Sequence, residues 1–432
     1  MADQVGVKWV VSGGSFVERL VCHSRLPLNA GLDSARPAVH VWELGSGGLR
    51  EHGIIDAGPD AYPPEAWKRH GLAPSVAWHP HEPSLVVSGA AGLQSWTLGG
   101  LFVTAEVPPN AAYRDVAFSP DGRTLWASPS SSLDEDEAWQ RSDALDLVTG
   151  ALRVGPRWDT GVVEHPGGNL VVTLSSDQGA TDVLFARPDD AVPASMRILR
   201  HAIILDADGY TAPVVSDDGR YLAVRGNAYV QSLDVFEFPT MRKVLHTTFG
   251  QPHPGYPYPP DWLEEQARWS RHNVAFAPGS GVILVGTPQG NIVQIDLDSG
   301  RASEHHVTLE PISALAVMST DQLVVADRSG QLAIMDAPAD AGRNVGSAGA
   351  AVARARVEEF VAAATELPTD ADLDASLVRH DGQRTWNSDD LETVTTAEDA
   401  DPTWLRLQSA INTHRQEHGE HQPIVTPDDT AH

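Results

Sequence analysis

His414, His418 and His421 stand at i, i+4 and i+7, the spacing that gathers imidazoles on one helix face and suits a transition metal. The set lacks the HExxH pattern, no Asp or Glu stands in a defined supporting position, and the segment runs into a polar C-terminus. A solvated or packed helix end is expected there, and no metal site. His79 and His81, within WHPHEP, read as turn residues, and His305 and His306 as surface residues. Cys22 is the single cysteine, which excludes an intramolecular disulfide and multi-Cys zinc sites; it reads as a small buried apolar residue. The chain has no GxSxG elbow, no GxxxxGKS/T phosphate loop and no GxGxxG after a strand. No catalytic residue and no cofactor is therefore expected.

Binding chemistry is better represented. Gly58–Ala73 holds Tyr62, Trp67, Arg69 and His70; Ser130–Ser142 holds Trp139 and an acidic run; Gln251–Arg271 holds Tyr256, Tyr258, Trp262, Trp269 and Arg271. Trp, Tyr and Arg anchor protein interfaces because each buries a large area at little entropic cost. Tyr62, Trp67, Arg69, Trp139, Tyr256, Tyr258, Trp262 and Trp269 are the candidate partner-binding residues. The same rings could instead staple their own loops, and the two roles are compatible. Asp261 is placed to cap a short helix running to Arg268.

These loops need a scaffold, and the sequence repeats one. Alternating apolar residues, a tight turn and a second apolar run recur as KWVVSGGSFVERLVCHS, SVAWHPHEPSLVVSG, DVAFSPDGRTLWASP, GVVEHPGGNLVVTLS, APVVSDDGRYLAVRG, NVAFAPGSGVILVGT and ALAVMSTDQLVVAD. Asp121-Gly122, Gly167-Gly168 and Asp218-Gly219 are hairpin signals, since glycine supplies the positive φ of a tight turn. Further strands follow most copies, as in AVHVWELGSGG and NIVQIDLDSG, so the unit is a four-stranded antiparallel meander, A to D. Seven such sheets arranged radially leave only short, protected edges. The fold class is thus all-β: a seven-bladed β-propeller over 5–338, with a smaller α-helical, acidic C-terminal extension over 339–432.

VAFSPDGRTL and VAFAPGSGVIL resemble the A–B hairpin of the WD-repeat β-propeller family and its bacterial relatives. No copy has the Gly-His pair before strand A or the Trp-Asp pair ending strand C; Trp42-Glu43 and Trp96-Thr97 come nearest. The family's Asp–His hydrogen-bond network is therefore expected to be missing, and no functional residue carries over. Lys8–Val11 aligns with strand A of the first copy, which puts Cys22 in strand B. The seventh blade then has three strands, or a fourth from Ala375–His380 or Leu391–Thr396. Four long connections, Pro27–Pro37, Gly58–Ala73, Ser130–Ser142 and Gln251–Arg271, are assigned to one face. Loops on a rigid scaffold commonly carry binding.

The extension carries 18 acidic and 7 basic residues. A helix is expected from Ser347 until Pro368 ends it, then an acidic linker over 369–400, then a helix capped by Asp401 with Pro402 in its first turn. The two helices are expected to dock on the propeller or on a partner. A net charge of −28 disfavours nucleic acid and membrane surfaces as partners. No apolar run is long enough to span a bilayer, and MADQVGVKWVVSGG shows no leader pattern, so a cytoplasmic location is expected. Few lysines beside many Arg, Ala, Gly and Asp suggest a GC-rich bacterial source. The expected function is a non-catalytic scaffold that binds another protein. The alternatives are a propeller hydrolase of lactonase type, with a metal or acid/base pair at the channel mouth, and a small-molecule or glycan sensor.

Overall fold

The computed structural model describes the chain except residues 1–6, 13, 104–112, 178–179, 206–210, 227–230, 253, 280, 338–346, 399–400, 402 and 419–432. Seven sheets, each built on four antiparallel strands, form the blades of a propeller. Strand A of each blade lines the central channel: Val17–Cys22, Ser75–Trp78, Asp115–Phe118, Thr160–Glu164, Val214–Val215, Val274–Phe276 and Ile312–Val317. Short apolar runs broken by Asp-Gly or Gly-Gly dictate this layout. Gly122, Gly168 and Gly219 take φ values of 73°, 73° and 65°, which a side chain would resist. Between blades the strands bury flat layers of Val, Leu and Ile, and Trp126 is 1% exposed with its Nε1 donating to Ala194 O at 3.0 Å.

The ring closes through the N-terminus. Val7–Ser12 pairs antiparallel with Gln331–Asp336, matching Val10 with Ala333, and so supplies the outer strand of blade seven. This corrects the alignment of Lys8–Val11 with strand A of blade one. That strand is Val17–Cys22, and Cys22 lies in strand A rather than B, beside the channel. Pro27–Pro37 is consequently not a long loop: Leu28–Asp33 within it is strand B of blade one. The other three long connections do share one face. Their helices are α1 (Ala66–Leu72), α2 (Glu135–Ala138) and α3 (Pro260–Arg268). Helix α3 ends at Arg268 as expected, but Pro259 is its N-cap and Asp261 sits in its first turn.

On the opposite face, three histidines occupy the same place in the A–B turn and tie one blade to the next. His23 Nε2 meets Glu82 O at 3.0 Å, His79 Nε2 meets Gly122 O at 3.1 Å, and His165 Nε2 meets Gly219 O at 3.0 Å. In each ring Nδ1 accepts a backbone N–H, from Arg25 and Leu26, from His81 and Glu82, or from Gly167. With Nδ1 accepting, Nε2–H is the donor to the carbonyl of the next blade.

The extension is more ordered than a linker. Helix α4 (Ser347–Ala363) crosses the A–B turns of blades four and five, where Arg356 donates to Asp218 O at 2.9 Å. Phe360 packs on Phe185 and Phe238, with ring centroids 4.9 and 5.1 Å away. The helix ends before Pro368 because the chain turns onto the outer edge of blade four: Arg200 N donates to Thr365 O and Leu367 N to Ile198 O. Glu366 accepts from Arg187 Nε at 2.7 Å. Helix α5 (Leu373–Ser376) leads to Val378–His380, which pairs parallel with Met196–Leu205, and Thr385–Trp386 then completes a six-stranded sheet. Part of the segment Ala375–His380 does join a blade, then, but blade four and not blade seven. Leu391–Thr396 is no strand; it begins in α6 (Ser388–Thr393).

A buried ion pair fixes this strand: Arg379 donates to Asp182 at 3.1 Å. Helix α7 (Thr403–His418) lies against α6, with Asn412 Nδ2 donating to Leu391 O and Val394 O. The Asp401 carboxylate accepts from Arg384 and from Glu398 N–H.

Candidate functional site

In a meander blade the D–A and B–C connections share one face. This is the face that carries α1, α2 and α3, and strand A of each blade starts beneath them. Among the sequence candidates, Tyr62 and Arg69 meet: the Arg69 guanidinium sits 4.5 Å over the Tyr62 ring, donates to Ser34 O at 3.0 Å and pairs with Glu18. Tyr62 N donates to Ala35 O, so the pair fastens the first long loop to blade one. Burial pushes the Glu18 carboxyl up, against the pull of Arg69. The Trp67 side chain, like those of Trp404 and His418 and all of His421, lies outside the described residues.

Helix α1 and the loop carrying α2 converge on Arg114. Its Nη2 donates to His70 Nε2 at 2.8 Å, and its guanidinium lies 5.8 Å from the Trp139 ring. Desolvation, then Arg114, Arg271 and Arg69, hold His70 below its ordinary pKa. The second loop is rigid because Asp143, 1% exposed, gathers Ser130 Oγ at 2.6 Å, Ser131 N at 2.8 Å, Ser132 Oγ at 3.0 Å and Tyr113 OH at 3.0 Å. Trp139 itself stays 49% exposed.

In the third loop Trp262 is buried and donates to Gln251 O at 3.2 Å; Tyr258 stacks on it at 5.3 Å, and Tyr256 meets Tyr258 edge-on at 5.8 Å. Tyr256 is 88% exposed. Trp269 stands apart, stacked on Phe249 at 5.1 Å. Tyr62, Arg69, Tyr258, Trp262 and Trp269 thus staple loops, while Trp139 and Tyr256 project into solvent.

Beneath the loops the channel encloses about 590 Å³. Its collar on this face includes Arg19, Asp115, Arg225, Arg271 and His272. Asp115 accepts from Thr160 Oγ1 at 2.9 Å; burial raises its carboxyl, and Arg19 opposes that. Arg225 is 4% exposed and directs its guanidinium N–H groups to Asn273 Oδ1, Gly226 O, Ser232 O, Gln231 Oε1 and Ser270 O. Burial without a carboxylate partner among these acceptors lowers its pKa to about 9. Burial first, then Arg19, Arg271 and Arg225, drive His272 well below the ordinary imidazole value.

Of this collar, the sequence pointed only to Arg271. The rest comes one or two residues per blade, and the only local sign is a charged side chain at the start of strand A or the end of strand B. Among the described residues no cluster of three His, Cys, Asp or Glu side chains is arranged to hold a metal. No helix among them is long and apolar enough to cross a membrane. A scan against protein-family models finds no match for the chain, and a search of curated proteins finds none either.

Proposed function

We propose that the chain is a WD-repeat-like, non-catalytic interaction scaffold of the bacterial cytoplasm, and that it grips another protein through the long-loop face. The observation that carries this reading is the division of labour among the aromatic residues of that face. Four aromatic candidates and Arg69 are spent on holding the loops still, while Tyr256, edge-on to Tyr258, and Trp139, beside the Arg114 guanidinium, stay open to water. A large ring fixed in advance loses little entropy on binding, which is the property of an interface anchor. The A–B hairpins support the family likeness. Asp115, the carboxylate of the collar, is engaged by Thr160, which fits a structural or binding role better than acid–base work.

The test is affinity capture from the native host with wild type and a Trp139→Ala/Tyr256→Ala variant of unchanged melting temperature, followed by reconstitution with the purified partner. Stoichiometric binding lost in the variant supports the reading. A partner held equally by both, or no partner, refutes it.

A further inference from the structure

The two ends of the channel carry opposite charge. Strand A runs from the long-loop face to the A–B turn, so its first residues lie at one mouth and its last at the other. Arg19 is near the start of Val17–Cys22, and Arg271 lies just before Val274–Phe276, with the uncharged imidazole of His272 next to it as a further donor. Glu164 ends Thr160–Glu164, and Asp217 follows Val214–Val215. Between these ends the lining is apolar, with Val21, Val163, Val215 and Val317 among the partly buried residues that face the cavity.

A cationic collar is unexpected on a chain of net charge −28. Arg225 adds to its field, although its own N–H groups are engaged. Among the described residues Arg19 makes no side-chain hydrogen bond, and Asp115 is the one carboxylate of the collar. Guanidinium groups present donors in a fork that matches an oxyanion, and low-dielectric walls focus their field. A cavity of this size with apolar walls and a few convergent polar groups has the anatomy of a small-molecule site.

We propose that the channel binds a small amphiphilic oxyanion, its carboxylate or phosphate head against Arg19, Arg271 and His272 and its apolar body along the valine-lined wall. The acidic far mouth sets the orientation, because it repels the head. This site is independent of the rim and stands whether or not the rim holds a protein.

Isothermal titration of the full chain tests it with octanoate and octyl phosphate, and with octan-1-ol and inorganic phosphate as the body alone and the head alone. One saturable site is expected for octanoate or octyl phosphate, and the tighter of the two names the head group. Octan-1-ol and inorganic phosphate should bind at least about tenfold more weakly. Arg19→Gln and the more exposed Arg271→Gln, each with unchanged melting, should weaken the amphiphile by about tenfold. The proposal is overturned if neither amphiphile binds, if octanol or phosphate alone binds as tightly, or if neither arginine variant changes the affinity.

Discussion

His165 should make the propeller acid-labile in a defined pH window. The ring is 1% exposed, its Nε2–H donates to Gly219 O in the next blade, and its Nδ1 accepts from Gly167 N–H. A proton on Nδ1 would set two donors against each other in a buried turn. Burial, the largest cause, lowers the pKa from 6.5 to about 4. Because the folded value lies below the unfolded one, the unfolded chain takes up the proton first as pH falls. The stability this group contributes is complete above about pH 6.5 and is lost progressively until about pH 4. At about 1.4 kcal/mol per pH unit that loss amounts to about 3 kcal/mol.

His165→Gln keeps an uncharged donor toward Gly219 but gives up the acceptor for Gly167, so it should cost about 1 kcal/mol at pH 7.5. Urea unfolding of both proteins across pH 7.5 to 4 separates the effects, because every other titrating group is shared. Wild type should lose about 3 kcal/mol more than the variant over that range, and near pH 4 the variant should be the more stable protein. Parallel stability curves would refute the assignment of His165 as a buried neutral staple.

Three further outcomes follow from the packing. Removing residues 1–12 deletes the outer strand of blade seven, which pairs with Gln331–Asp336, and should lower the melting temperature markedly; an unchanged calorimetric melt would contradict closure through the N-terminus. Gly290→Ala should cost about 2–4 kcal/mol, since φ is +76° there and a Cβ would lie 1.8 Å from Thr308 O, as equilibrium unfolding would show. Phe360→Ala should remove about 3 kcal/mol of local packing against Phe185 and Phe238. Hydrogen exchange should then show residues 364–380 losing protection while blades one and two keep theirs.

The hairpins were legible because their signals are local. Asp121-Gly122 and Asp218-Gly219 sit between two apolar runs, and six of the seven copies fold in the expected register. The first copy departs because Lys8–Val11 is followed directly by strand A of blade one in sequence, whereas its partner lies at Gln331–Asp336. Nothing local marks a pairing across that distance. The C-terminal strand was hidden for another reason. Val378–His380 is a short stretch in an acidic segment, and it is held by Arg379 reaching Asp182 of blade four rather than by its own pattern. The rim aromatics were visible as residue types, but their division into staples and exposed rings depends on neighbours such as Ser34, Gln251 and Phe249. The collar of the channel was not legible, since Arg19, Asp115, Arg225 and His272 are far apart in sequence and meet only when the ring closes.

The most direct test of the interaction surface is site-specific photo-crosslinking in the native host. One crosslinker replaces Tyr256, 88% exposed on the long-loop face, and another replaces Val148, 82% exposed in the C–D turn of blade three on the opposite face. A discrete protein crosslinked from position 256 and not from position 148 is the expected result. Crosslinking of the same partner from position 148 alone, or equally from both, would contradict the assignment of the long-loop face.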